Sequence, residues 1–147
     1  MNNDPSIDDL EDLIQQVLEA DTENLHELAK IAGLDLSQDF AGANLSGTNL
    51  KGLDLHHANF QETNLSHADL SHADLSHANL SHADLSHADL SHANLSHADL
   101  SHADLSHANL EHPNLKGANL KDANLKDANL KDANLKEPLL NVVGTDA

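Results

Sequence analysis

The chain has 147 residues, 25 acidic side chains against seven basic ones, a formal charge of −18 and no cysteine. That rules out disulfide and thiolate chemistry and argues against direct binding to nucleic acid, whose phosphates call for basic contacts. Aromatic residues make up only 1% of the chain, so an ordinary globular core is not available, and the apolar residues have to be buried by some regular device.

The chain opens with a short polar lead, after which Ser6 reads as an N-cap with Asp9 three residues on. Ile7, Leu10, Leu13, Ile14, Val17 and Leu18 form one helical stripe. Asp21 or Thr22 caps a second helix carrying Leu25, Leu28, Ala29 and Ala32, and Gly33 suits its C-terminal stop. Residues 1–35 are therefore expected to be an α-helical hairpin. Its expected role is to cover the open end of the repeats that begin at Phe40, and docking of a partner is the alternative. No long apolar run marks a membrane span and no basic apolar leader marks a signal peptide, which leaves the cytoplasm as the default location.

From Phe40 the chain repeats every five residues. Three identical 15-residue blocks, SHADLSHADLSHANL, occupy 66–80, 81–95 and 96–110. A period of five is neither helical nor that of a simple strand, and it marks a repeat architecture. Each unit offers one large and one small apolar residue two apart, which face the same way on extended chain. Leucine and alanine can then point inward while Asp/Asn, Ser and His point out. One unit cannot bury its leucine alone, but stacked coils can, with backbone groups pairing between coils at about 4.8 Å.

The repeated A(D/N)LXX pattern over roughly 38–140 resembles that of the pentapeptide-repeat proteins. The resemblance implies an all-β solenoid: a right-handed quadrilateral β-helix with four pentapeptides per coil. Central residues every five from Phe40 to Leu140 give 21 units. That makes about five coils and a rod of about 25 Å at the strand spacing. The expected division is a cap over 1–35, the β-helix over 36–140 and a tail over 141–147. The expected core includes Phe40, Phe60, Leu70, Leu75, Leu80, Leu85 and Leu90. Residues 20 apart should stack, so Phe40 and Phe60 should lie face to face. Thr48, Leu53 and Thr63 take the small inward slot in the early units.

Each coil needs four corners. Gly47, Gly52 and Gly117 sit where a type II turn needs a positive φ. Histidine fills that position through the middle of the chain, and there a different corner type is expected, because a left-handed φ is costly for histidine. After Glu111 the units carry Lys116, Lys121, Lys126, Lys131 and Lys136, with Asp122, Asp127 and Asp132 beside three of them. Pro138 lacks an amide donor and is expected to end the pairing. Leu139, Leu140, Val142 and Val143 then either cover the last coil or form the interface of a homodimer through that end.

Eleven of the 13 histidines share the corner position. With four units per coil they form columns, among them His77 with His97, His87 with His107, and His72 with His92. Such imidazoles, with aspartates nearby, offer weak binding of Zn²⁺, Ni²⁺ or Cu²⁺, against the plainer reading of a polar corner residue that was duplicated. Protonation of all 13 histidines would change the net charge from −18 to −5. No catalytic set stands apart from the repeat, and no cofactor is implied. The expected function is a non-catalytic scaffold for an unidentified protein partner, without nucleic-acid or membrane binding. The alternative comes from the family resemblance: members that protect DNA gyrase from quinolones are understood to mimic DNA, and the acidic rod would bind gyrase or a related topoisomerase in that way.

Overall fold

The computed structural model of the chain describes Gly33, Asp35 and residues 40–136. Apart from Gly33 and Asp35, the expected helical hairpin lies outside these residues, as do Pro138 and the tail with Leu139, Leu140, Val142 and Val143. Gly33 has a φ of 78°, the left-handed value a helix stop there would use.

Residues 40–136 form a solenoid in which each residue at the Asp/Asn position makes a parallel bridge to the one 20 residues later, from Asn44–Asn64 to Asn114–Asn134. The bridges thus define a 20-residue coil of four pentapeptides. Each side of a coil carries a single bridge rather than an extended strand, because a corner comes after every fifth residue.

The five amides of a unit explain the repeat. The central leucine donates to the Asp/Asn carbonyl of the next coil at 2.7–2.9 Å, as in Leu70 to Asp89. The corner residue donates to the next coil at 2.9–3.0 Å, as in His72 to Ser91. The Asp/Asn amide donates backward to the alanine carbonyl of the preceding coil, as in Asp89 to Ala68 at 2.9 Å. The alanine amide closes the corner onto the leucine carbonyl three residues before it, as in Ala88 to Leu85 at 3.1 Å. The fifth amide, that of the residue after leucine, donates to the Oδ1 of the Asp or Asn two residues earlier, as in Ser86 to Asp84 at 2.9 Å and Ser81 to Asn79 at 3.0 Å. Buried backbone groups need partners, and the Asx side chain supplies the one that no coil can. Aspartate and asparagine share that acceptor, so either serves at the same position.

The interior is leucine and alanine. The central leucines from Leu45 to Leu120 and the alanines from Ala43 to Ala123 are essentially sealed from solvent, together with Phe40 and Phe60. At about 25 cal/mol per Å² of apolar surface, these columns are the main stabilising term of the rod. The two phenyl rings stack at 5.1 Å between centroids with 10° between their planes, as a register of 20 requires. Thr48 and Thr63 are buried in the small slot, and their hydroxyls donate to Leu45 and Phe40 carbonyls at 2.8 and 2.7 Å. Leu53 fills the same slot.

The corners correct one expectation. The corner histidines from His57 to His112 all have φ of 58–61°, as glycine would, and so do Glu62, Asp122 and Asp127 within a few degrees. The residue before each is not among those of positive φ, and the corner amide bond spans three residues, which is the type II pattern. There is no separate histidine corner. Each corner donates to the coil after it, so one corner of a different shape would break that bond on its own face. The stack imposes one geometry on every residue in the position, overriding the individual preference.

Pro113 also bears on the expected stop at Pro138. It occupies the buried small slot and loses only the corner amide bond, while its carbonyl still accepts from Asn134 at 3.0 Å. A proline in this slot is compatible with continued stacking.

Candidate functional site

Chemistry on this rod is confined to its outer surface, since leucine and alanine occupy the interior coil after coil. The surface has two ladders per side: Asx residues bracketing the serines, and corner histidines.

The corner ladder brings together the histidines that the sequence paired. His77 and His97 stack at 5.0 Å with 17° between planes, His87 and His107 at 4.8 Å with 6°, and His72 and His92 at 4.8 Å with 7°. His57–His77, His67–His87, His82–His102 and His92–His112 continue the columns at 4.7–5.0 Å. Face-to-face packing has a consequence for metal binding. An imidazole lone pair lies in the ring plane, so an ion shared by two stacked rings would lie outside both planes. Chelation by a column requires one ring to turn out of its stack.

Three columns end on a carboxylate. His102, His107 and His112 have Nε2 at 3.8, 3.8 and 3.5 Å from Asp122, Asp127 and Asp132 one coil later. Glu111 also approaches His112, at 3.6 Å. The fourth column ends on Gly117, and His97 lies over it: a Cβ there would come within 2.5 Å of His97 Nδ1.

The acids are distributed around the rod. The bridges pair Asp54 with Asp74, Asp69 with Asp89 and Asp84 with Asp104, on three different sides, and Asp99 lies on the fourth. Five asparagines from Asn114 to Asn134 donate through Nδ2 to the Asp or Asn one coil before, at 3.3–3.4 Å. The carboxylates that sequence reasoning treated as surface charge are thus part of the backbone bracket as well.

One histidine departs from the pattern. His56 occupies the position that is serine through the repeat blocks, directly after the central Leu55. Its Nδ1 makes a short hydrogen bond with Asp54 Oδ1. That hydrogen bond holds its pKa above the usual histidine value, with slight burial opposing and the charges of Asp54 and Asp74 adding to the rise. His56, Asp54 and Asp74 form the single group of three possible metal ligands among the described residues, with one ligand atom from each lying within 4.8 Å of the others. Sequence reasoning missed it. The signal was available: His56 is the one residue of its kind outside the corner position within the repeat, beside an Asp-Asp pair 20 residues apart.

At the far end the pairing ladder closes with Asn114–Asn134, and the last described coil has no described coil after it. Ala128, Leu130 and Ala133 are only partly buried there, and Leu135 is exposed.

Four-cornered coils stacked on a leucine and alanine interior define a β-solenoid whose chemistry lies on repetitive outer faces. Comparison with known proteins agrees. The chain belongs to the pentapeptide-repeat proteins: the family described as pentapeptide repeats matches in eight copies over residues 39–76, 68–106 and 103–137. The fold of that family is the right-handed quadrilateral β-helix. Among solved structures, a pentapeptide-repeat protein of the Arabidopsis thaliana thylakoid lumen is 35% identical, with a TM-score of 0.64, over 66% of this chain and 68% of that one. Rfr23 of the cyanobacterium Cyanothece 51142 is 33% identical, with a TM-score of 0.57, over 71% of this chain and 89% of that one. A trypsin-treated form of QnrB1, a plasmid-mediated fluoroquinolone resistance protein, is 21% identical over 73% of this chain and 75% of that one, with a TM-score of 0.43, too distant to carry an argument. None of the curated protein sequences matches the chain.

Proposed function

We propose that the chain is a non-catalytic scaffold that binds protein partners along its sides and at its ends. The observation that carries this reading is the surface itself. Four sides present the same Asx-Ser-His ladder at coil spacing, with backbone donors already used by the Asx brackets. Such a surface recognises by repetition and shape rather than by a single reactive group. The test is a photo-crosslinking amino acid placed in turn at the exposed corners His72, His77, His82 and His87, one on each side, and at the exposed Ser46 and Lys131 toward the two ends, in the protein's host. The expected result is a small, reproducible set of partners that differs between sides. The absence of specific crosslinks from every side and from both ends would refute the reading.

Binding to gyrase by DNA mimicry is the narrower alternative. The Asp pairs of the bridge position lie on three sides, with the one other aspartate of that position, Asp99, on the fourth, rather than along one strip. A supercoiling assay across a wide range of this protein is expected to show no inhibition, and dose-dependent inhibition would promote the mimic. The partly buried Ala128, Leu130 and Ala133 and the exposed Leu135 of the last described coil support a homodimer through the C-terminal end, with Leu139, Leu140, Val142 and Val143 as its apolar contribution. Charged replacements at Leu139 and Val143 are then expected to halve the sedimentation mass, and an unaltered mass would exclude this interface.

A further inference from the structure

We propose that Asp54, His56 and Asp74 form a surface site for one divalent transition-metal ion that binds nitrogen and oxygen together, with Cu²⁺ the most tightly held of the class. This inference stands independently of the scaffold reading.

The pairing of Asp54 with Asp74 carries an electrostatic cost. The two face each other one coil apart, and like charges directly opposite in a ladder are destabilising. The same pairing occurs at Asp69–Asp89 and Asp84–Asp104. In those pairs the residue two after the first aspartate is Ser71 or Ser86. Only at Asp54 is it a histidine, and it is held beside the two carboxylates.

The three ligand atoms already lie within 4.8 Å of one another, close to the separation of two donors on opposite sides of an ion with bonds of about 2.0–2.2 Å. Small side-chain adjustments then bring them onto one centre. The neighbouring His57 ring meets His56 edge-on, with 74° between planes, unlike the parallel rings of the corner columns. Asp74 is positioned in advance, since its Oδ1 accepts from the Ser76 hydroxyl at 2.6 Å and the Ser76 amide at 3.0 Å. The Asp54 Oδ1 likewise accepts from the His56 amide at 3.3 Å. Hydrogen bonds that orient ligands raise metal affinity.

The donor set selects the ion. One imidazole and two carboxylates match borderline ions, while Ca²⁺ and Mg²⁺ take oxygen ligands alone. Asp54 and His56 are half exposed, so water completes the coordination. Two carboxylates cancel the charge of a divalent ion, and the Irving–Williams order places Cu²⁺ first. Because Asp54 and His56 come from one coil and Asp74 from the next, the ion would also tie the two coils together.

The experiment adds Cu²⁺ alone to the full-length protein at neutral pH and reads affinity by calorimetry and ligands by electron paramagnetic resonance. The first equivalent is expected to show one imidazole nitrogen with oxygen ligands. His56→Ser installs the residue of the later units, and it should weaken that first equivalent by about tenfold or more. Asp74→Asn should weaken it in the same direction. A variant with His77→Ser and His97→Ser should leave the first equivalent unchanged. Circular dichroism establishes that each variant keeps its fold. An unaltered first equivalent in His56→Ser would overturn the proposal and leave His56 as a hydrogen-bond partner of Asp54 only. Two or more nitrogens in the first equivalent, or its loss in the His77/His97 variant, would overturn it in favour of the columns.

Discussion

The left-handed corner at His87 yields a test in which the sign, rather than the size, decides. His87 stacks between His67 and His107 at 4.8 Å on each side, with a φ of 60°. His87→Ala and His87→Gly both delete the imidazole and both stacks, so the difference between the two variants isolates the backbone. A side chain held in the left-handed region costs roughly 1–2 kcal/mol, which glycine does not incur. Glycine loses about 0.5–1 kcal/mol more chain entropy on folding than alanine. The balance leaves the glycine variant more stable by up to about 1.5 kcal/mol, centred near 0.7. At an ordinary corner with negative φ only the entropy term survives, and alanine would be the more stable by about 0.5–1 kcal/mol. Urea unfolding followed by circular dichroism, with the midpoint compared at constant slope, reads the order directly. A mid-rod site is used because the end coils of a repeat protein can unfold separately. An alanine variant more stable than the glycine variant would refute the left-handed corner at His87 and the claim that the stack imposes it.

Leu85→Ala, in a fully sealed position, should cost about 3–5 kcal/mol, and Leu130→Ala, partly exposed in the last described coil, distinctly less by the same urea measurement. Gly117→Ala should destabilise by about 1–2 kcal/mol from its φ of 69° together with the approach to His97, and adding His97→Ser should recover part of that loss, as a double-mutant cycle measures. Asp84→Asn should be neutral to slightly stabilising, because Oδ1 is retained and the repulsion with Asp104 is relieved, whereas Asp84→Ala leaves the Ser86 amide without its acceptor and should cost about 1–2 kcal/mol in thermal unfolding. His56 should titrate in NMR above the ordinary histidine value. Since its folded pKa is raised, it stabilises the fold fully below the unfolded value near 6.5 and loses that contribution as pH rises through the folded value. His56→Ser should remove this small pH dependence, and an identical pH profile in the two proteins would contradict it.

Much of the rod was legible because its interior obeys one rule. Leucine and alanine two apart, every five residues, define the inward face without reference to any distant contact. The 20-residue spacing of Phe40 and Phe60 made the register checkable, and the rings stack accordingly. The corners were not legible from the same rule. A preference table assigns histidine an unfavourable left-handed φ, yet each corner is bonded to its neighbour above, and that collective geometry outweighs the single residue. The role of the Asx side chain was hidden for a related reason: its partner is an amide two residues away, which only a count of every donor in the unit exposes. The His56 group was hidden because Asp74 reaches Asp54 and His56 only through the 20-residue register of the coils. Function was the least legible, since identical sides give no single location for chemistry to announce itself.

The 15-residue block has a geometric consequence of its own. A coil takes 20 residues, so one block advances the chain by three sides, not four. Gaining or losing a block would leave every leucine and alanine column filled, because all sides carry the same inward residues. It would also rotate everything beyond it by a quarter turn relative to the beginning. Such duplication changes two things together: the length of the rod, in steps of about 3.6 Å at the strand spacing, and the angle between whatever is attached at its two ends. Four blocks restore the original angle with a rod three coils longer. Repeat number therefore acts as an angular setting between the ends, adjustable without altering a single core contact.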